Sequence, residues 1–220
     1  MSAVRLIYEL AMQNHNKNTK KAAQQTVIDR LERLHPHKTL LYLAIFGSCL
    51  LFGFLITAYA MKTDDHTFID FHFPKAFIVS LVLLLLSSFS ISKALGAFRN
   101  DDMIALKQSL GITLLLGLAF TMSQYVGWYE LNRSKIYLSG EVSGSYLYII
   151  SGLHVLHLAA GLVFLTATYT RVSNISRDQV KRLIMVTNPY ERTKLEMLTV
   201  YWHFLDVLWV ALFFYFLFSF

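Results

Sequence analysis

Hydrophobic positions gather into five blocks, at about 40–60, 76–95, 109–129, 146–168 and 198–218, separated by shorter stretches that hold most of the charge. Each block is near the roughly 20 residues that a helix needs to cross the hydrocarbon of a bilayer. Lipid offers no hydrogen bonds to an open strand, so helices are the expected state. The pattern therefore predicts an all-α integral membrane bundle of five transmembrane helices. Pro36, Pro74 and Pro189 all fall outside the blocks, as helix punctuation should.

Ahead of the first block, residues 4–10 and 27–34 show helical apolar spacing around a Gln-, Asn- and Lys-rich stretch. They predict N-terminal cytoplasmic amphipathic helices, either lying at the bilayer interface or docking a partner subunit. The shorter stretch around Val180, Leu183 and Ile184 leaves the same choice open. The expected organisation is a tail over 1–38 and a five-helix transmembrane domain over 39–220. The tail has no apolar core of signal-peptide type, so no cleavage is expected.

Composition agrees with a membrane protein. The 220 residues are 55% hydrophobic and only 15% charged, against about 25% charged in soluble domains. A net charge of +6 would suit a nucleic-acid partner, but the basic residues track the ends of the apolar blocks instead of forming one patch, which excludes that class. Sixteen Lys and Arg lie in the tail and in the second-to-third and fourth-to-fifth connections; four, Lys62, Lys75, Arg133 and Lys135, lie on the other side. The positive-inside rule then puts the N-terminus in the cytoplasm, or its mitochondrial-matrix equivalent, and the C-terminus on the opposite side; the expected location is a bacterial inner membrane with the C-terminus periplasmic. Cys49 is the one cysteine, which rules out a disulfide within the chain and a cysteine-based metal site.

Chemistry concentrates in the last two blocks. Glu196, Thr199, His203 and Asp206 follow three-and-four spacing and share one helical face. Ionisable groups at membrane depth cost on the order of 2.5–3.5 kcal/mol each, so this stripe must face protein or water. The fourth block carries a matching face with Ser151, His154, His157 or Leu158, and Gly161, and Gly152 and Gly161 let a neighbour approach closely. The natural pairing sets the imidazoles of the fourth block against the carboxylates of the fifth, with His203 in the same network. Three roles stay open for the histidines: structural contacts between helices, haem ligation from different spans, or a proton relay. A zinc site lacks a recognisable ligand set. Gln124 is expected to hydrogen-bond between helices, and Ser87, Ser88, Ser90 and Ser92 to return their hydroxyls to the backbone. His66 and His72, near Asp64, Asp65 and Asp70, read as a solvated loop or a metal site.

The run Gly152-Leu153-His154-Val155-Leu156-His157 with Gly161, then Glu196 and Tyr201-Trp202-His203-Phe204-Leu205-Asp206-Val207-Leu208-Trp209, resembles subunit III of the haem-copper cytochrome oxidases. The likeness covers roughly residues 40–220 and weakens over the second and third blocks, around Gln124, Trp128 and Tyr129. It implies the shorter, five-span form of a redox-inactive companion subunit. No haem, copper or other metal is then bound by this chain; those belong to partner subunits, and phospholipid is its expected ligand. The implied partners are the catalytic subunit I, other respiratory subunits and membrane lipids. His154, His157, Glu196, His203 and Asp206 become a structural polar network, with Gly152, Gly161, Gln124, Trp202 and Trp209 at packing or interface positions. Two departures stand out. Gly47 or Ser48 occupies the place of a membrane-embedded glutamate of the longer form, and Gly127 stands where the family often has another. The alternatives are an accessory subunit of a nitric oxide reductase, a haem-bearing anchor, and a small transporter.

Overall fold

The computed structural model describes residues 36–62, 75–133, 142–176 and 178–219. Among them are six helices and no strand: α1 (Pro36–Lys62), α2 (Lys75–Arg99), α3 (Met103–Arg133), α4 (Val142–Ile175), α5 (Gln179–Thr187) and α6 (Pro189–Ser219). All but α5 are long and apolar enough to cross a membrane. The amphipathic segments expected in the tail, and the loop with His66 and His72, lie outside the described residues. Residues 1–44 and 45–220 form separate compact units. The described part of the first is the opening stretch of α1; the second holds the remainder of α1 and the other five helices.

The helices outrun the apolar blocks. Once a helix is nucleated, each added residue gains a hydrogen bond, so it continues past the hydrocarbon until local chemistry stops it. The stop between α2 and α3 is a Schellman-type turn built without glycine. Asp101 takes the left-handed conformation at φ 58°, and the amides of Asp102 and Asp101 bond back to the carbonyls of Ala97 and Phe98. Asp102 then caps α3, its carboxylate accepting from the amides of Ile104 and Ala105 at 3.1 and 3.0 Å. Asp178 caps α5 in the same way; the Lys181 amide and ammonium beside it hold its carboxyl below the usual range. Pro36 and Pro189 occupy the first positions of α1 and α6, where a missing N–H costs nothing.

Four helices close a ring: α2 packs on α3 and α6, and α4 packs on α3 and α6. Leu84, Ile91, Leu106, Leu110, Phe120, Leu158, Leu165, Leu198 and Leu205 are fully buried in it. Association in lipid depends on close packing, and two glycines permit it here. A Cβ on Gly161 would stand 3.2 Å from Leu205 and Tyr201, and one on Gly117 would stand 2.9 Å from Leu162 and 3.0 Å from Trp202. On the outside, α1 to α4 and α6 present large apolar side chains such as Phe54, Phe89, Leu115, Val163 and Val207. Beyond one end of the ring, α5 buries Met185 and fixes itself through Arg182, which donates to the Asp101 carbonyl at 2.6 Å.

Candidate functional site

Each seam of the ring carries a polar tie, and the tryptophans supply a repeated unit. Trp202 donates its indole N–H to Ser87 at 3.0 Å, Trp209 to Ser80 at 3.2 Å and Trp128 to Ser151 at 3.0 Å. Every one of these serines gives its own proton to a carbonyl on its own helix: Leu84, Phe77 and Leu147 respectively. That leaves an oxygen lone pair free to accept, so the indole and the hydroxyl are both satisfied without water. Ser80 and Ser87 are seven residues apart on α2, as Trp202 and Trp209 are on α6. A shared seven-residue step keeps one face of each helix against the other along the seam. Sequence reasoning picks out the tryptophans, Ser87 and Ser151 but misses Ser80 and the pairing; the signal that could have found them is this common spacing.

Further ties join the same helices. Ser90 donates to the Ser109 carbonyl between α2 and α3, and Tyr148 to the Trp128 carbonyl between α4 and α3. Tyr201 donates to the His157 carbonyl at 2.9 Å between α6 and α4. At the end of the bundle near α5, Arg171 of α4 meets the buried carboxylate of Glu191 of α6 at 2.6 Å, with the Lys194 ammonium at 3.5 Å from it.

The expected pairing of α4 imidazoles with α6 carboxylates is not what forms. His154 is fully buried, stacked on Trp209 with ring centroids 5.0 Å apart and edge-on to Phe120 at 5.7 Å. Neither of its nitrogens has a hydrogen-bond partner among the described residues. His157 points the other way. Its Nδ1 faces the Leu153 carbonyl at 2.9 Å, which can only accept, so Nδ1 carries the proton and Nε2 accepts from Ser48 of α1 at 3.1 Å. Glu196 pairs one turn back with Arg192 at 3.0 Å. The physical reason is rotational: the α6 face turned toward α4 presents Tyr201, Leu205 and Trp209, whereas His203 and Asp206 turn toward α2.

On that side the polar stripe does assemble. Ser88 lies 2.8 Å from His203 Nδ1 and Ser92 3.1 Å from Nε2. Ser92 gives its proton to the Ser88 carbonyl at 3.0 Å, so it must accept from Nε2–H, and in the neutral ring Nδ1 accepts from Ser88. Asp206 is buried beneath, one oxygen 3.7 Å from Nδ1, and neither oxygen has a hydrogen-bond partner among the described residues. Gln124 is also buried with its amide atoms unpartnered among those residues, so the interhelical bond expected of it is not formed. A Cβ on Gly152 would meet Trp128 at ordinary contact distance. Among the described residues no group of three or more His, Cys, Asp or Glu side chains could hold a metal ion.

The chain matches the family described as "Cytochrome c oxidase subunit III" over residues 41–219. It belongs to that family. Its relatives include cytochrome c oxidase subunit 3 of Synechocystis sp., 31% identical over 138 residues that cover 61% of this chain and 53% of the relative. The Rhipicephalus sanguineus protein of the same name is 32% identical over 62% of this chain and 48% of its own length. A probable cytochrome c oxidase subunit 3 of Mycobacterium leprae is 33% identical over 61% of each. The chain thus spans about half to three fifths of the curated relatives it matches. A subunit III family member with five long apolar helices is a multi-pass membrane protein, and the match favours the oxidase reading over a nitric oxide reductase accessory subunit or a haem-bearing anchor. At Gly127 a Cβ would stand 2.8 Å from the Phe77 ring, so a larger residue there would require that ring to shift. Ser48 lies within hydrogen-bonding distance of His157.

Proposed function

We propose that this chain is the redox-inactive subunit III of a proton-pumping haem-copper terminal oxidase in a bacterial inner membrane, its N-terminus cytoplasmic and its C-terminus periplasmic. Its role is to support the durability and proton uptake of the catalytic subunit and to bind phospholipid, while haem and copper reside in partner subunits. The observation that carries this reading is the family match along nearly all the described helices. Of the polar residues that carry the sequence resemblance, His157, Glu196 and His203 work as ties within or between helices and His154 packs on Trp209, which fits a structural part. The sixteen-to-four distribution of basic residues supports the orientation.

The test is gentle detergent purification through this chain, with mass identification of what accompanies it and turnover of the recovered complex. A catalytic oxidase subunit is expected among the co-purifying chains. With Asp206→Leu, initial oxygen-reduction rate should hold while activity decays sooner during turnover. A purified chain with its own Soret band and no oxidase partner would overturn the proposal.

A further inference from the structure

Where α3 and α4 meet at the end of the ring nearest α5, their seam opens into a groove of about 730 Å³. Tyr169 over Gly111, Leu162 against Gly117 and Ser151 on Trp128 keep the two helices antiparallel in one register. The bare backbone of Gly111 lets the Tyr169 ring lie down in the groove; a Cβ there would stand 3.3 Å from that ring. Lys107 and Gln108 stand just before the apolar block that opens at 109. Ile112, exposed on the same side of α3, is about 8 Å further in at 1.5 Å per residue. The groove therefore runs from the charged rim into the hydrocarbon layer.

Its chemistry is graded along that direction. Lys107, Gln108 and Tyr169 line it near the rim and Ile112 lies deeper. Among the described residues nothing hydrogen-bonds or ion-pairs with the Lys107 ammonium, the Gln108 amide or the Tyr169 hydroxyl, and no Asp or Glu lines the groove. The cavity between α4 and α6 is the contrast: its cations, Arg171 and Lys194, already face the Glu191 carboxylate. A lone rim lysine would simply reach toward the headgroup layer, but here the ammonium shares its groove with two further donors. An acyl chain by itself offers those donors no acceptor, and a free anion would leave the apolar length uncovered. An amphiphile with an anionic head serves both ends. The groove also opens on the side that carries sixteen of the twenty basic residues, where anionic headgroups are drawn to lysine and arginine.

We propose that the α3–α4 groove seats one phospholipid, its phosphate held by Lys107 with Gln108 and Tyr169 and an acyl chain laid over Gly111 beside Ile112. The proposal rests on the phospholipid-binding role inferred above and gives that role a place and a recognised group, separate from the α4–α6 cavity.

Native mass spectrometry of the intact complex, washed in mild detergent and titrated with phosphatidylglycerol, tests the groove. A galactolipid with the same acyl chains and no phosphate is the reference probe. One phosphatidylglycerol per chain should bind about fivefold more weakly in Lys107→Gln, the effect of one basic residue at a lipid surface. Lys107→Arg, which keeps the charge, should restore it. The galactolipid should bind the unaltered complex more weakly than phosphatidylglycerol and be indifferent to residue 107. Phosphatidylglycerol binding unchanged in Lys107→Gln, or lost equally in Lys107→Arg, overturns the proposal. So does a galactolipid held as tightly, or a lipid lost only with Arg171→Gln, which would place it in the α4–α6 cavity. A complex that brings its catalytic oxidase subunit but holds no lipid through Lys107 sinks the groove alone. A chain that binds phosphatidylglycerol through Lys107 and recovers no oxidase subunit sinks the oxidase reading alone.

Discussion

The α2–α6 seam and the contact between α1 and α4 are both tied by histidine and serine, yet they hold their helices very differently. Along α2–α6 the His203–serine group is backed by two indole–serine bonds and by fully buried Leu84, Trp202 and Leu205. Between α1 and α4 there is the Ser48–His157 bond, with the Phe52 ring 5.5 Å from the imidazole; α6 adds a bond from Tyr215 to the Ile56 carbonyl at 3.3 Å. Glycine shows the difference most directly. Gly117 and Gly161 are pressed by neighbouring side chains, whereas a Cβ added at Gly47 or Gly53 of α1 would meet nothing within 4 Å among the described residues of other elements. Because lipid tails are as apolar as leucine, burial from water does not drive helices together inside a bilayer, and close packing must. A polar tie of the same chemistry therefore marks a firm seam in one place and a lightly held helix in the other.

Breaking the firm side should give the largest effect. Trp202→Ala removes a fully buried indole that contacts Gly117 and Gly161 and holds Ser87. A large-to-small change of this kind costs about 3–5 kcal/mol, so the isolated chain should unfold at markedly lower denaturant in a mixed-micelle titration. A loss no greater than that of an exposed control such as Leu115→Ala would show that the seam is not the organising element.

How far the sequence foretold this contrast differs by element. The five spans were legible because lipid imposes length and apolarity on each helix separately, with no need to know its neighbours. The grouping of His203 and Asp206 followed from helical spacing. The partner of His154 did not, because spacing fixes which residues share a face but not which neighbour that face meets. Asp206 and Trp209 lie only about 60° apart around α6, so a small relative rotation separates stacking on Trp209 from pairing with Asp206. The helix ends were misjudged where capping replaced hydropathy as the deciding force, as at Asp101, where an aspartate does what a glycine usually does.

A finer comparison separates the bond from the packing along α2–α6. Trp209→Phe keeps most of the ring and deletes the N–H, and Ser80→Ala deletes its acceptor. A double-mutant cycle should return a coupling of about 0.6 kcal/mol and no more than about 1.7 kcal/mol, the range for interhelical hydrogen bonds in membranes. A coupling near zero would mean that packing alone holds the seam and that the serine spacing is incidental.

The smallest change tests the light side. Ser48→Ala removes the hydroxyl that His157 Nε2 accepts from, while Nδ1 keeps its bond to the Leu153 carbonyl, so the imidazole stays in place on α4. Global stability should fall by no more than about 0.6 kcal/mol. The visible effect should be local: faster hydrogen exchange of α1 amides from 45 onward, with α6 amides around Trp202 unchanged, because regions with few buried contacts open independently of the core. The comparison is sharpened if Ser87→Ala does the reverse, speeding no exchange in α1 and loosening α2 and α6 together. Should Ser48→Ala instead loosen all five long helices at once, α1 is an integral wall of the bundle, and the gaps beside Gly47 and Gly53 do not report how firmly it is held.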